Sequence, residues 1–157
     1  MNSYLDVFED DIWEERPETF VNFVYKVVKH PPLSDLQIDI GERMSQVLRY
    51  ETLVELYGEA EAQRLWDKTA RDLCLIIGKG GSKNLVTQLS FLYIIYTLLC
   101  MKSPQDYYER PPDDNIDLVN MATSARQAQN GFFNKIKSTV ERVDWFAGKF
   151  HLRAIDI

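Results

Sequence analysis

Cysteine and histidine are scarce in this chain, two of each among 157 residues. Cys74 and Cys100 both lie inside apolar runs, so a disulfide framework is not expected and a reducing, cytoplasmic setting is. His30 and His151 are too few and too far apart for a His-rich metal site. Seven glycines and six prolines are too few for collagen-like or low-complexity chain. Residues 1–15 carry acids where a secretory signal would carry bases and then an apolar stretch, so none is expected. No internal repeat is visible. One stretch, residues 85–101, runs without a charge between Lys83 and Lys102. Thr87, Gln88, Ser90, Thr97 and its tyrosines lower its hydrophobicity, so a helix enclosed by its neighbours is expected there rather than a membrane span.

What the chain does contain is apolar mass: 45% hydrophobic residues, 12% aromatic, with 27% charged. That suffices for one globular domain with a core. The net charge of −6 is unevenly spread, with ten acids against three bases in residues 1–42 and six bases against four acids in residues 116–157. The acidic run Asp6, Glu9, Asp10, Asp11, Glu14, Glu15 and Glu18 reads as a solvated leader, with a docking surface for a basic partner as the alternative. Nothing resembles the basic stripe of a duplex-DNA reader.

Helical signals dominate the first half. Pro17-Glu18 opens a helix carrying Phe20, Val21, Val24, Val27 and Val28, and His30-Pro31-Pro32 ends it. Ser34 is suited to cap the next helix, with Leu33 as a staple and Leu36, Ile40, Val47 and Leu48 on one face. Gly58 punctuates, and residues 59–69 form a further helix with Leu65 and Trp66. Leu73-Cys74-Leu75-Ile76-Ile77 then reads as a buried parallel strand, residues 82–101 as a helix, and residues 103–115 as a loop. Residues 116–122 read as a second strand, Thr123 or Ser124 caps a helix to about Arg142, and residues 151–157 begin a third strand. The expected fold is therefore α/β: a helical N-terminal segment over 1–70, then the first βαβ of a core over 71–157. Its open sheet edge predicts self-association.

The informative segment is Gly78-Lys79-Gly80-Gly81-Ser82-Lys83-Asn84. A strand feeding a glycine-rich turn and then a helix makes an anion site. Backbone N–H groups turn inward, the helix start adds partial positive charge, and Lys83 reaches the outer phosphates. The usual phosphate loop has Gly before the lysine and Ser or Thr after it; here Ser82 and Asn84 take those places. The same residues also match the G-x-x-G turn of KH domains, which grips a single-stranded RNA backbone. A ligand-free helix cap within a helical interaction module is the third reading.

In addition, the chain resembles the N-terminal part of phage large terminase subunits, the ATPases that package DNA into proheads. The likeness runs in order through residues 30–37, the loop block 75–84, Tyr96 to Cys100, residues 116–122, Gln127-Ala128-Gln129 with Phe132-Phe133, and residues 145–149. The resemblance implies an incomplete P-loop NTPase core binding ATP and Mg²⁺ in the host cytoplasm. The partners it implies are double-stranded viral DNA, the portal and the small terminase. It assigns the β- and γ-phosphates to Lys83, their cradle to the amides of Gly80, Gly81, Ser82 and Lys83, γ-phosphate sensing to Lys79, and the adenine edge to Gln37, with Gly78 also among the cofactor-binding residues. Asn84 stands in the Mg²⁺-side position as a neutral carbonyl. No apolar run closes in Asp-Glu and no nuclease acid cluster is present, so no catalytic residue is assigned.

Overall fold

The structure, a computed structural model, describes residues 12–70, 72–74, 76, 83–121, 124–147 and 149. Among these residues the regular structure is helical. α1 spans Phe20–Asn22 and continues as a π-helical turn over Phe23–Val27. Then come α2 (Asp35–Ser45), α3 (Tyr50–Tyr57), α4 (Glu59–Trp66), α5 (Lys83–Leu99) and the short α6 (Pro104–Tyr107). α7 (Ala125–Ala128) passes through a second π-turn, Gln129–Phe133, into α8 (Asn134–Arg142), and a 3₁₀ turn covers Asp144–Phe146.

α5 is the axis. It has no charge after Lys83 and buries Val86, Leu89, Leu92, Tyr93 and Tyr96. Such a helix must be covered on several sides, and α1, α2, α8 and the 3₁₀ turn cover it. Phe20 meets Tyr93 edge to face at 5.6 Å, and Phe23 lies 4.8 Å from Tyr96, centroid to centroid. α2 approaches closely because Gly41 has no Cβ: the Phe20 ring occupies the space one would fill. Burial pushes the phenols up, Tyr57 to about 12, so they act as neutral hydroxyls. Tyr93 and Tyr57 donate to the Glu18 carbonyl at 2.9 and 3.3 Å, while the Glu18 N–H donates to Tyr96 at 3.0 Å. The entry to α1 is thereby fastened to the middle of α5.

A second cluster, Leu48, Leu53, Ala62, Leu65, Met101 and Tyr107, lies where the α3–α4 hairpin meets the C-terminal end of α5. Gly58 makes the hairpin turn at φ +82°. The N-terminal segment closes this end: Trp13 bridges to Met101, and the Glu14 N–H donates to the Cys100 carbonyl at 2.9 Å.

α2 and α4 are joined by ions. The Glu42 carboxylate, 3% exposed, accepts from both terminal nitrogens of Arg64 at 2.8 Å and from Lys68 at 2.7 Å. Lys68 also reaches Asp39 at 3.0 Å, and Asp39 accepts from Arg43 at 2.9 Å. Burial pushes the Glu42 carboxyl up, but its hydrogen bonds from Arg64 and Lys68 outweigh that and hold it below its ordinary 4.5.

The α/β expectation is overturned: among the described residues there is no strand, and so no βαβ unit. Leu73, Cys74 and Ile76 of the expected first strand are unpaired and exposed, Ile76 at 95%. Residues 116–121 of the second are likewise without ladder partners, with Val119 at 73% and Met121 at 88% exposure. An apolar run becomes a strand only where another strand takes its backbone groups, and here helices enclose the core. Leu75, Ile77, Ala122 and residues 151–157 lie outside the described residues, and the sheet edge that motivated self-association is absent from the described ones. The first helix ends as expected, but through a particular device: Lys29 sits at φ 57°, and the His30 N–H folds back to the Val24 carbonyl at 3.0 Å.

Lys29→Gly relieves a left-handed lysine and is expected to stabilise the fold by about 1 kcal/mol in urea unfolding. Glu42→Ala is expected to cost about 2–3 kcal/mol, the low end for a broken buried pair because Arg64 and Lys68 can return to water. Because the folded carboxyl is depressed, Glu42 stabilises the wild type fully above its ordinary 4.5 and progressively less as the pH falls below it. The same titration of Glu42→Gln should lack that component.

Candidate phosphate-binding site

α5 begins at Lys83, with Asn84 second, and both are exposed. The first N–H groups of a helix have no acceptor within it and carry its positive end. No acid occupies the first turn of α5 to oppose an anion there, and among the described residues Lys83 has no carboxylate partner. The Thr87 hydroxyl donates to the Lys83 carbonyl at 2.8 Å. One turn further in, Val86 is 1% exposed and the Ser90 hydroxyl donates to its carbonyl at 2.9 Å. The helix start is therefore anchored, with the Lys83 side chain exposed at its end.

Beside this helix start lies a cleft of about 990 Å³, between the end of the first π-turn, the first half of α5 and the end of α8. Leu85, Leu89 and Leu92 of α5 line one wall together with Gln88. Its rim is basic. Lys26 is paired with Glu18 at 3.0 Å, Lys29 stands 4.0 Å from Asp144 with both side chains in solvent, and Arg142 is exposed. The His30 ring holds the Pro31 carbonyl through Nδ1 at 2.7 Å.

Of the residues singled out from sequence, Lys83 and Asn84 are placed together, and Gly78, Lys79, Gly80, Gly81 and Ser82 lie outside the described residues. Gln37 is the third residue of α2 and completes a capping box. Its Oε1 accepts from the Ser34 N–H at 2.8 Å, and its own N–H donates to Ser34 Oγ at 3.3 Å. Gln127 lies in α7, and the Gln129 backbone enters the second π-turn. Sequence reasoning missed the cleft and its cations Lys29 and Arg142. The one local signal was His30-Pro31-Pro32, read as a helix end and as part of the resemblance over residues 30–37. Among the described residues no group of three His, Cys, Asp or Glu is placed to hold a metal, and no helix is long and apolar enough to cross a membrane.

Comparison with known proteins defines the class. Residues 3–153 match the family described as "Uncharacterized protein MJ0330, N-terminal P-loop domain", and the chain belongs to that family. A relative of this kind is "Uncharacterized protein MJ0330" of Methanocaldococcus jannaschii, 33% identical over an alignment of 118 residues that covers 72% of this chain. The match covers 20% of that relative, so the chain corresponds to about a fifth of its length. No solved structure matches the chain. Neither printed description mentions a terminase or DNA packaging. What stands of the sequence resemblance is thus the P-loop domain.

The thiols on either side of the loop differ in a way that can be read directly. Cys100 is fully buried and burial pushes its thiol up to about 12, whereas Cys74 is exposed. A colorimetric disulfide reagent should titrate one thiol in the native protein and both in denaturant.

Proposed function

We propose that this chain is a nucleotide-binding domain that holds the phosphates of ATP at the start of α5. The carrying observation is Lys83: an exposed cation with no described acid partner, on the first residue of a long buried helix, directly after the glycine-rich run. Family membership supports a phosphate loop in this position. In this reading the Lys83 ammonium contacts the β- and γ-phosphates, and the N–H groups of residues 80–83 cradle them. Lys79 adds a second cation. Among the described residues at the helix start, Asn84 offers a metal a neutral side-chain carbonyl. Mg²⁺ would therefore be carried mainly by phosphate oxygens and water, which suits its usual habits. When bound, Mg²⁺ would neutralise part of the phosphate charge; binding and orientation fall to the protein.

The proposal is confined to binding. The finer reading, a viral DNA-packaging ATPase working with double-stranded DNA, portal and small terminase in the host cytoplasm, is supported by the quoted sequence blocks alone.

Titration with a fluorescent ATP analogue, with and without Mg²⁺, tests the site. Wild type is expected to saturate and Lys83→Ala to bind about tenfold more weakly, the loss of one charge-assisted contact. Equal binding by both proteins would remove the phosphate-loop reading. Single-stranded RNA binding that ignores ATP and weakens in Lys79→Glu would favour the G-x-x-G reading instead.

A further inference from the structure

We infer that the cleft between the first π-turn, α5 and α8 receives the base and ribose of the nucleotide whose phosphates lie at Lys83. This rests on the phosphate-binding reading above. Leu85, Gln88, Leu89 and Leu92 share one face of α5, opposite the Lys83 side chain, and the cleft runs from about 3 Å to about 14 Å beyond Lys83 along the helix axis. The free N–H groups of a helix start point along its axis, so a phosphate held there leaves the rest of the ligand able to pass onto that face.

The lining matches an aromatic heterocycle with a charged tail. Leucines supply apolar walls, and a few polar groups are available to fix an edge, the usual make-up of a small-molecule site. Gln88 Nε2 donates to the Gly131 carbonyl at 3.4 Å, which turns the side chain but leaves Oε1 as an acceptor for an exocyclic amine. With Nδ1 of His30 held by the Pro31 carbonyl, Nε2 is the ring atom left for the ligand. Lys29 and Arg142 bring positive charge to the mouth, against the single acid Asp144. The backbone at Lys29 is a further sign. A lysine is kept at φ 57° where glycine would be easier, so the position retains its charge at a conformational cost. Gln37, by contrast, already has its carbonyl engaged in the α2 cap.

The test compares ATP with inorganic tripolyphosphate, which shares the phosphates and lacks the base, by calorimetry on the full chain with Mg²⁺ present. Wild type is expected to bind ATP about tenfold tighter than tripolyphosphate. Gln88→Trp fills the cleft and should reduce ATP to the tripolyphosphate level without changing tripolyphosphate. Thr139→Trp approaches from the α8 wall and should do the same, which keeps the test valid if one variant fails to fold. Lys29→Gly should bind ATP more weakly while unfolding at higher urea, a combination that a purely structural lysine would not give. Lys83→Ala should weaken both ligands. If both tryptophan variants bind ATP as wild type does while Lys83→Ala does not, the phosphate site stands and the cleft assignment falls. Equal affinity of wild type for ATP and tripolyphosphate overturns the cleft assignment as well. If neither ligand binds, both readings fall together.

Discussion

The arrangement of this protein depends on having to enclose one helix. α5 runs from Lys83 to Leu99 with no further charge, and its tyrosines must place their hydroxyls somewhere other than water. Tyr93 and Tyr96 do so on the backbone of Glu18, and Tyr57 joins them from α3. Those bonds set where α1 begins, and the Phe20 ring of α1 in turn sets how near α2 can come through Gly41. The Glu42 ion network then ties α2 to α4. Each step leans on the one before, and the first is the burial of α5.

That order also frames the glycine-rich segment. On one side Lys68 is fixed to Glu42 and Asp39; on the other, Val86 is locked in the core. Residues 69–82 therefore span two fixed points. The proposed phosphate contacts include the helix start, whose first turn is fixed by the burial of Val86.

Local signals in the sequence were legible, and signals that needed a distant partner were not. Ser34 as a cap, Gly58 as a break and the charge-free helix after Lys83 are each decided within a few residues, and each is found in the structure. Leu36 was placed on the inner face but is 65% exposed. Residues 73–77 and 116–122 have the texture of strands, yet a strand is a relation between two segments, and no partner is found among the described residues. Glu42 was invisible for the same reason: in a charged helix it reads as solvated, and its partners lie 22 and 26 residues away. At the candidate site, Lys83 and Asn84 were legible from the glycine run, whereas the cleft was not. Three elements distant in the chain, ending near Lys29, Gln88 and Arg142, have to meet before it exists.

The π-turn at Phe23–Val27 has a bearing on how this chain tolerates change in length. A π-turn holds one residue more than an α-turn, so the chain leaving it at Val28 is rotated by about 100° from where an unbroken α-helix would leave it. Here the rotation is what delivers Lys29 and His30 to the cleft mouth while Phe20, Phe23, Val24 and Val28 all stay buried. Deleting any one residue of that turn would let the segment relax into a regular helix that still buries most of its apolar side chains. The domain would keep its core and lose the aim of its basic rim. Across relatives, a gap of a single position in this turn would therefore separate chains that share the fold from chains that share the site.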